Sequence, residues 1–363
     1  MSINPVLYPE GYPDWPITII EKLGAGTHAV VWKVQTIIGI LALKIHNPGK
    51  WFFVESQEEA RRLKTFYEDR APHIVCYRWD FFVAPVCYEK THPDLCIRHR
   101  KGDEDRHAIL MDLVCPDMYE IFLGNCLGDE PKTRLISTQL ESIAKQALET
   151  LNYLGSKGRI YGDLKTNNMS YDESTDQLTL YDFGFAGKVE DTDSEAIYQV
   201  RNYRAPERLL FKPIDLDIDL WSLGAILFEF YTRHQLFAVQ GKDCAPITTS
   251  DHFHIMIHQL GVAPTKEFIQ KNSKYASIFN EDGSLIHPPT SRAQKIMDLY
   301  SRLAENFFFQ FKGKPRPQIA RWEAIVYYSA ERRGASSFDA ARIIALIAPM
   351  LRYTNRRPPP HIV

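Results

Sequence analysis

The chain has 363 residues, of which 45% are hydrophobic and 12% aromatic, so it can bury a sizeable core and is not globally disordered. Its formal net charge of −2 excludes a general electrostatic attraction to nucleic acids or to membrane surfaces. The six cysteines include no Cys-x-x-Cys pair, no basic leader opens the sequence, and no apolar run approaches the ~20 residues of a membrane span, so we expect reduced thiols in a soluble, intracellular protein.

The N-terminal part of the chain predicts an arm and then a hairpin. Residues 1–16 are rich in proline and tyrosine, which favours an extended arm over a regular element. A strand, a glycine turn and a second strand follow, with Gly24 and Gly26 in the turn. Glycines let a backbone turn lie close over phosphates and offer them N–H groups, although most Gly-x-Gly pairs are simply tight hairpin turns.

Lys44 stands inside the next apolar strand. A lysine there is costly to bury without a charged partner, whereas on an edge strand it would simply face solvent. The next predicted helix, residues 54–66, offers glutamates as partners, or these form a solvated helix face. We favour Glu59 as the partner, because it lies four positions before Leu63 in a Glu-x-x-x-Leu-Lys pattern.

The middle of the chain changes from strands to helices. Residues 73–90 are strand-like, and the polar residues 91–106 predict a surface hairpin. A strand over 108–114 runs into Cys115-Pro116, which we interpret as a hinge between two lobes. Residues 136–154 carry apolar side chains at helical spacing and predict a buried helix.

The loop after this helix carries the chemistry. It contains Asp163, Lys165 and Asn168, and a short strand over 178–181 then presents Asp182 ahead of a phenylalanine and a glycine. Phosphoryl transfer needs a carboxylate for the proton of the nucleophilic hydroxyl, a cation over the transferred group, and oxygen ligands for Mg²⁺. The loop supplies each of these groups, and an Asp-x-x-x-x-Asn pattern becomes specific when Asp-Phe-Gly follows it.

The remaining sequence is mainly helical. An acidic run, residues 190–195, precedes Ala205-Pro206-Glu207, and a strongly apolar helix is predicted over 215–231 with Asp219 near its start. No repeat and no low-complexity tract is present. Further helices are predicted over 250–261 and 336–352, with loops and helices mixed over 262–335.

These motifs stand in one order along the chain: the glycine turn, Lys44, Glu59, Asp163 with Lys165 and Asn168, Asp182-Phe183-Gly184, Ala205-Pro206-Glu207 and Asp219-Leu220-Trp221-Ser222. The order resembles the eukaryotic protein kinase superfamily across nearly the whole chain. Within it the chain is similar to the SR-protein kinase family of the CMGC group. The stretches that carry this likeness are Tyr203–Glu207, Asp251–Gly261 and Ser273–Leu285, with Ala29 at the third glycine position and a short activation segment.

The resemblance implies an α+β class and a bilobal protein-kinase fold. A small antiparallel β-sheet with one helix would form the N-lobe over residues 17–114, after the arm of residues 1–16. A larger, mainly helical C-lobe would occupy residues 115–363, with a CMGC-type insert around 262–335.

The resemblance also implies a role for each motif residue. Asp163 would accept or orient the proton of a substrate hydroxyl, and Lys165 would neutralise the γ-phosphate of ATP. Lys44, held by Glu59, would bind the α- and β-phosphates. The residues that would ligate Mg²⁺ are Asn168 and Asp182.

A kinase-like nucleotide site would use the end of the strand that precedes the hinge. Backbone groups of Asp112 and Val114 would hydrogen-bond adenine, behind Met111 as gatekeeper. Asp219 would brace the catalytic loop, and Glu207 would pair with Arg357 or Arg356. The implied nucleotide-binding residues are Leu23, Gly24, Gly26, Val31, Ala42, Lys44, Met111, Asp112 and Val114.

Some positions depart from the family pattern. Tyr161 and Gly162 replace the usual His-Arg, so no cation at 162 can engage a phosphorylated activation loop, and we expect a constitutively set loop, as in SR-protein kinases. Val200 replaces a threonine that usually hydrogen-bonds the catalytic aspartate and lysine, and Ser170 replaces an apolar residue under adenine. Each change weakens an accessory contact by about 1 kcal/mol. We therefore expect the catalytic loop to be connected less tightly to the peptide platform, the segment Ala205-Pro206-Glu207.

Three functions follow as alternatives. The favoured one is a Ser/Thr protein kinase that uses ATP and Mg²⁺ on protein substrates, with arginine- and serine-rich sequences as candidates. Gly162-Asp163 also resembles the loop of small-molecule phosphotransferases, which lack Lys165, and a pseudokinase scaffold has no need of the retained catalytic residues. The acidic run 190–195 is either a solvated loop or an attractant for basic peptides. We expect a cytoplasmic or nuclear monomer without direct nucleic-acid or membrane binding.

Overall fold

A computed structural model describes the chain over residues 4–83, 106–114, 117–119, 135–189, 199–210, 215–239, 247–270, 276–280, 282–353 and 357. Two compact units are present. The first contains Met1–Cys115 and Thr179–Gly184, and the second contains Pro116–Leu178 and Phe185–Val363. The polar residues 91–105, the Cys115-Pro116 hinge and the acidic run 190–195 lie outside the described residues.

In the part of the chain that the structure describes, the first unit is built on an antiparallel sheet with one helix, as the sequence predicts. The six strands found there follow the order β1-β2-β3-β4-β6-β5. In chain order the elements are β1 (Val6–Leu7), β2 (Ile17–Ala25), β3 (Ala29–Thr36), β4 (Gly39–His46), α1 (Lys50–Glu68), β5 (Tyr77–Phe82) and β6 (His107–Asp112). Alternation along these strands buries one apolar set, including Leu7, Trp32, Leu43 and Leu110, in a common core.

The N-terminal arm corrects the prediction that residues 1–16 form no regular element. Val6 and Leu7 pair with Thr18 and Ile17 at the edge of the sheet, and Leu7 is fully buried. The prolines misled the prediction, because proline is tolerated beside a short edge strand. The arm therefore belongs to the sheet of the first unit.

Helix α1 turns one face towards the sheet. Its buried residues recur at intervals of three and four positions, the helical period. The helix begins earlier and ends later than the predicted span 54–66. The buried set is Ser56, Glu59, Ala60, Leu63 and Phe66.

The second unit is mainly helical and is organised around the apolar helix α4. Buried residues lie on every side of α4, which packs against α2, α8 and α9. Gly224 permits part of this packing, because a β-carbon there would lie 2.9 Å from Cβ of Met350. The helices are α2 (Ser137–Ser156), α3 (Pro206–Leu209), α4 (Asp217–Thr232), α5 (Thr249–Leu260), α6 (Lys266–Gln270), α7 (Ser291–Phe308), α8 (Arg321–Arg332) and α9 (Ser337–Ile347).

Two short strands, β7 (Met169–Asp172) and β8 (Gln177–Leu180), pair with each other and lead to Asp182. The segment that resembles SR-protein kinases around residue 251 forms α5. Asp251 accepts bonds from both the backbone N–H and the hydroxyl of Thr290, the residue that caps α7. Among the described helices, none is both long and apolar enough to cross a membrane.

Candidate active site

The sheet of the first unit places an apolar surface and a cation on one face. Lys44 lies opposite Val31, and Ala42 lies opposite Met111. Residues two apart on a strand point to the same face, so these four side chains share it. Ala42 and Met111 are buried, Val31 is half-buried, and Leu23 on β2 is exposed.

The predicted glycine turn joins β2 and β3. The N–H of Gly26 donates to the carbonyl of Ala29 at 2.9 Å, and the side chain of Asn47 donates to the carbonyl of Thr27 at 2.7 Å. A β-carbon on Gly24 would meet no atom within 4 Å, and neither Gly24 nor Gly26 has a positive φ. The local fold does not demand glycine at these positions, which leaves room for a ligand to approach the backbone.

The predicted partnership between Lys44 and Glu59 is present. The ammonium of Lys44 lies 2.7 and 2.8 Å from the two carboxylate oxygens of Glu59 and 2.7 Å from Oδ1 of Asp182. His46, two residues further along β4, lies with Nε2 3.1 Å from Oε2 of Glu59. Glu59 and Lys44 are buried, whereas the Asp182 side chain is 41% exposed.

Mutual neutralisation keeps this cluster ionised. Burial alone would lower the pKa of Lys44, but the Asp182 and Glu59 carboxylates outweigh it and raise the pKa above its ordinary value. Burial alone would raise the pKa of Glu59, but Lys44 and His46 together hold that pKa well below its ordinary value. Burial lowers the pKa of His46, while the bond to Glu59 acts in the opposite direction.

Arg62 contacts the backbone after Asp182, which the sequence did not predict. Its Nη1 donates to the carbonyls of Phe183 and Gly184 at 3.1 and 2.8 Å. The ring of Phe66, one helical turn further on, packs edge-on against Phe183 with centroids 5.3 Å apart. The helical period could have indicated this contact, because Glu59, Arg62 and Phe66 lie on one face of α1. Helix α1 therefore holds both the side chain of Lys44 and the backbone after Asp182.

The predicted adenine-binding backbone lies at the end of β6. This strand ends at Asp112, two residues earlier than predicted, so Val114 follows the strand. The Asp112 carboxylate pairs with the guanidinium of Arg78 on β5. The N–H of Asp112 donates to the carbonyl of Cys76 at 3.0 Å.

The second unit gathers the other predicted catalytic residues on one loop. The ammonium of Lys165 lies 2.6 Å from Oδ2 of Asp163, and Nδ2 of Asn168 lies 3.0 Å from the Asp163 carbonyl and 3.2 Å from its Oδ2. Asp163 and Asn168 are buried. The carboxylate of Asp163 is thus oriented by two neighbours from its own loop.

Asp219 braces this loop from α4, as predicted. Its two carboxylate oxygens accept the N–H groups of Tyr161 and Gly162 at 2.7 and 3.0 Å. Burial raises the pKa of Asp219 to about 7, while the two amide donors act in the opposite direction. Gly162 has φ +80°, a conformation that favours glycine, which gives a backbone reason for the missing arginine at this position.

Glu229 is another buried carboxylate on α4, and unlike Asp219 it was not predicted from the sequence. The hydroxyl of Tyr203 donates to its Oε2 at 2.5 Å and lies 3.3 Å from the hydroxyl of Thr166, the residue after Lys165. Burial raises the pKa of Glu229 to about 7. No motif marked Glu229, because its partner is distant in sequence.

The Ala205-Pro206-Glu207 segment is fixed by a buried ion pair. Arg357 meets the Glu207 carboxylate with Nη1–Oε1 and Nη2–Oε2 distances of 2.5 and 2.8 Å. The sequence prediction named Arg357 or Arg356, and the structure selects Arg357. Such a two-point pair is more specific than a lysine contact.

Asp182 in the first unit and Asn168 in the second unit each carry a side-chain oxygen, the kind of ligand that Mg²⁺ prefers. This ion keeps several waters and binds substrate phosphates, so it does not need a full protein cage. Within the described residues, no group of three His, Cys, Asp or Glu side chains is placed to hold a metal ion.

Comparison with known proteins identifies the family. The protein kinase domain model matches residues 17–305, most of the chain, so the chain belongs to the protein kinase family. A crystal structure of a kinase domain matches with a TM-score of 0.65 and 20% identity, covering 97% of this chain and 98% of that chain. The predicted fold class, with a sheet-based N-lobe and a helical C-lobe, is confirmed.

Curated relatives match part of the chain. Serine/threonine-protein kinase cds1 of Schizosaccharomyces pombe is 28% identical over 61% of this chain and 45% of its own length. Serine/threonine-protein kinase prpf4B of Dictyostelium discoideum is 31% identical over 38% of this chain and 16% of its own length. Mitogen-activated protein kinase HOG1 of Arthrobotrys oligospora is 31% identical over 50% of this chain and 51% of its own length. The chain thus spans about half or less of these relatives.

Proposed function

We propose that the chain is an ATP-dependent Ser/Thr protein kinase. The observation that carries the proposal is the ammonium of Lys165 at 2.6 Å from the Asp163 carboxylate. A carboxylate can orient a hydroxyl nucleophile, and a cation beside it can neutralise charge on the transferred phosphoryl group. The relatives named Ser/Thr kinases support this assignment.

Each unit contributes its own groups to the reaction. In the first unit Lys44, held by Glu59, would bind nucleotide phosphates, and the glycine turn leaves space for a phosphate to approach its backbone. In the second unit Asp163 would accept or orient the hydroxyl proton of the substrate. Magnesium, which Asp182 and Asn168 would ligate, supplies charge neutralisation on the phosphates when bound.

The finer proposal places the chain in the CMGC group, near the SR-protein kinases, with arginine- and serine-rich protein substrates. The peptide platform Ala205-Pro206-Glu207 supports a protein acceptor, since its buried pair with Arg357 is intact. The acidic run 190–195 supports basic peptides through charge alone, because it lies outside the described residues. The absence of a cation at Gly162 supports constitutive activity.

A radiolabel transfer assay tests the reaction class. Purified protein with Mg²⁺ and labelled ATP is offered arginine-serine peptides, casein-like acidic proteins and a metabolite pool, with Asp163→Asn as the inactive control. We expect label on serine or threonine of the basic peptides. Label confined to a metabolite would identify a small-molecule phosphotransferase, and ATP binding without any transfer would identify a scaffold.

The acidic run has its own test. Neutralising its four carboxylates, those of Glu190, Asp191, Asp193 and Glu195, removes the attraction for a basic peptide. We expect a higher KM for an arginine-rich peptide and an unchanged KM for ATP. An unchanged peptide KM would leave the run as a solvated loop.

A further inference from the structure

Gln199 is a buried polar residue that no sequence motif marked. The residue is 4% exposed, and its backbone has φ +64°, a left-handed conformation that is uncommon for a residue other than glycine. It directly precedes Val200, the position whose hydroxyl is missing. A buried residue in such a conformation persists when its surroundings fix it.

The backbone of Gln199 contacts the catalytic loop and the peptide platform. Its N–H donates to the carbonyl of Gly162 at 2.9 Å. Its carbonyl accepts Nε and Nη2 of Arg204 at 3.2 and 2.8 Å, directly before Ala205. Through its main chain alone, Gln199 thus bonds to residues adjacent to Asp163 and to the platform.

The side chain adds three more bonds. Nε2 donates to the carbonyl of Ile218 at 2.8 Å and to the hydroxyl of Ser222 at 2.7 Å, both on α4. Oε1 accepts the N–H of Ala205 at 3.1 Å. These bonds need two donors and one acceptor, a set that a glutamine amide has and that glutamate and methionine lack.

Gly162 is consequently held from both sides. Asp219, the neighbour of Ile218, accepts its N–H, and Gln199 donates to its carbonyl. The peptide that joins Gly162 to Asp163 is therefore fixed to the same frame as Ala205. The Val200 side chain cannot hydrogen-bond to the catalytic loop, but Gln199, one residue earlier, connects that loop to Ala205.

We propose that Gln199 is a positioning residue that couples the catalytic loop to the peptide platform in place of the hydrogen bonds that Val200 cannot make. The inference rests on the proposed kinase function for its kinetic consequence, whereas its structural consequence is independent of that function. Gln199 is buried and acts through its bonds to Gly162 and Ala205.

Gln146 supplies a matched control. It is also a buried glutamine of the second unit, and its side chain also makes three bonds: Nε2 to the hydroxyl of Ser142 at 3.0 Å and the carbonyl of Asp176 at 2.8 Å, and Oε1 to the N–H of Leu178 at 2.8 Å. None of these partners belongs to the catalytic loop or the platform. Gln146→Met and Gln199→Met therefore remove the same chemistry from different places.

Kinetics on an arginine-serine peptide separate the two variants. We expect Gln199→Met to lower kcat/KM for the peptide roughly 10-fold or more, as the loss of one to two net hydrogen bonds predicts, with the ATP dissociation constant unchanged. Gln146→Met should lose similar stability and keep wild-type kinetics. Adding Val200→Thr to Gln199→Met should restore part of kcat, because the hydroxyl rebuilds a bond to the loop. Wild-type kinetics in Gln199→Met, or equal kinetic losses in both variants, would overturn the proposal.

Amide hydrogen exchange keeps the test independent of activity. We expect Gln199→Met to speed exchange at Ala205 and in the loop around Gly162, and Gln146→Met to leave both regions protected. Unchanged exchange at both places in Gln199→Met would overturn the coupling, even for a protein that transfers no phosphate. Inactive wild-type protein with the expected exchange pattern would instead remove the kinase function and leave the coupling intact.

Discussion

The two units hold their functional residues by different physical means. In the first unit, Lys44 is fixed by charge, with carboxylates of Glu59 and Asp182 around one ammonium. In the second unit, Asp163 stands on a loop whose backbone is held by hydrogen bonds: the Asp219 carboxylate accepts the N–H groups of Tyr161 and Gly162, and the N–H of Gln199 donates to the Gly162 carbonyl. Removing one partner from a buried charge cluster leaves another charge unpaired, whereas removing one hydrogen bond from a network leaves the other bonds in place.

The largest effect is expected in the charge cluster. Lys44→Met leaves Glu59 buried without its cation, which costs about 3–5 kcal/mol of unfolding free energy. Lys33→Met is the control, since Lys33 pairs with Glu21 at 2.9 Å in an exposed setting where about 0–1 kcal/mol is at stake. Urea denaturation measures both, and equal losses would contradict the assignment of the cluster to charge.

The second largest effect is a dependence of the unfolding free energy on pH, caused by Glu229 in the second unit. Because the folded pKa of Glu229 is about 7 against an ordinary 4.5, the folded state retains a proton that the unfolded chain releases. The contribution of Glu229 to stability is full below pH 4.5 and is lost as the pH rises through 7. Glu229→Gln does not titrate there, so its stability relative to wild type should rise by about 3 kcal/mol between pH 4.5 and 8.

The matched control for this pH effect is Glu305→Gln, whose carboxylate pairs with Arg316 at the surface. Removing this exposed ion pair should change the unfolding free energy by no more than about 1 kcal/mol. Thermal or urea unfolding over the pH series checks both variants. A flat difference for Glu229→Gln would mean that Glu229 is ionised in the folded protein.

The third effect concerns the brace of the catalytic loop. Asp219→Asn keeps one acceptor oxygen and points an amide group at one of the two N–H donors, so one buried N–H loses its partner at a cost of about 1–3 kcal/mol. We expect kcat to fall with stability. Asp298→Asn, on the exposed face of α7, should change neither. Wild-type kcat in Asp219→Asn would contradict a bracing role.

The smallest effect is expected at His46. His46→Leu removes one bond to Glu59, but Lys44 still occupies both carboxylate oxygens, and the buried Nδ1 of His46 has no partner among the described residues. We expect a loss of about 1 kcal/mol or less, with nucleotide affinity retained. A loss above about 3 kcal/mol would show that His46 is as important to the cluster as Lys44.

The sequence predicts contacts well where a motif fixes both partners. Glu59, Asp219 and Arg357 were named in advance, because kinase-like spacing constrains their positions. Gln199 and Glu229 were missed, since their partners are distant in the chain and their types occur equally at surfaces. Arg62 could have been found from the face it shares with Glu59 on α1.

The sequence predicts the long helices of the fold better than its short strands. Periodic helices such as α2 and α4 were placed within a few residues. The edge strand β1 was missed, because its two residues carry no periodic signal and the neighbouring prolines favour a loop. Local patterns therefore predict the elements, whereas partners contributed by tertiary packing require the structure.

The proposed function assigns the nucleotide-binding groups to the first unit and the groups for transfer to the second. Asp163→Asn tests this division most directly, with ATP binding by calorimetry and phosphate transfer to a serine peptide measured on one preparation with Mg²⁺. We expect transfer to fall at least ~10²-fold with the ATP dissociation constant within about 2-fold of wild type. Undiminished transfer, or loss of ATP binding together with transfer in a folded variant, would contradict this division of roles between the two units.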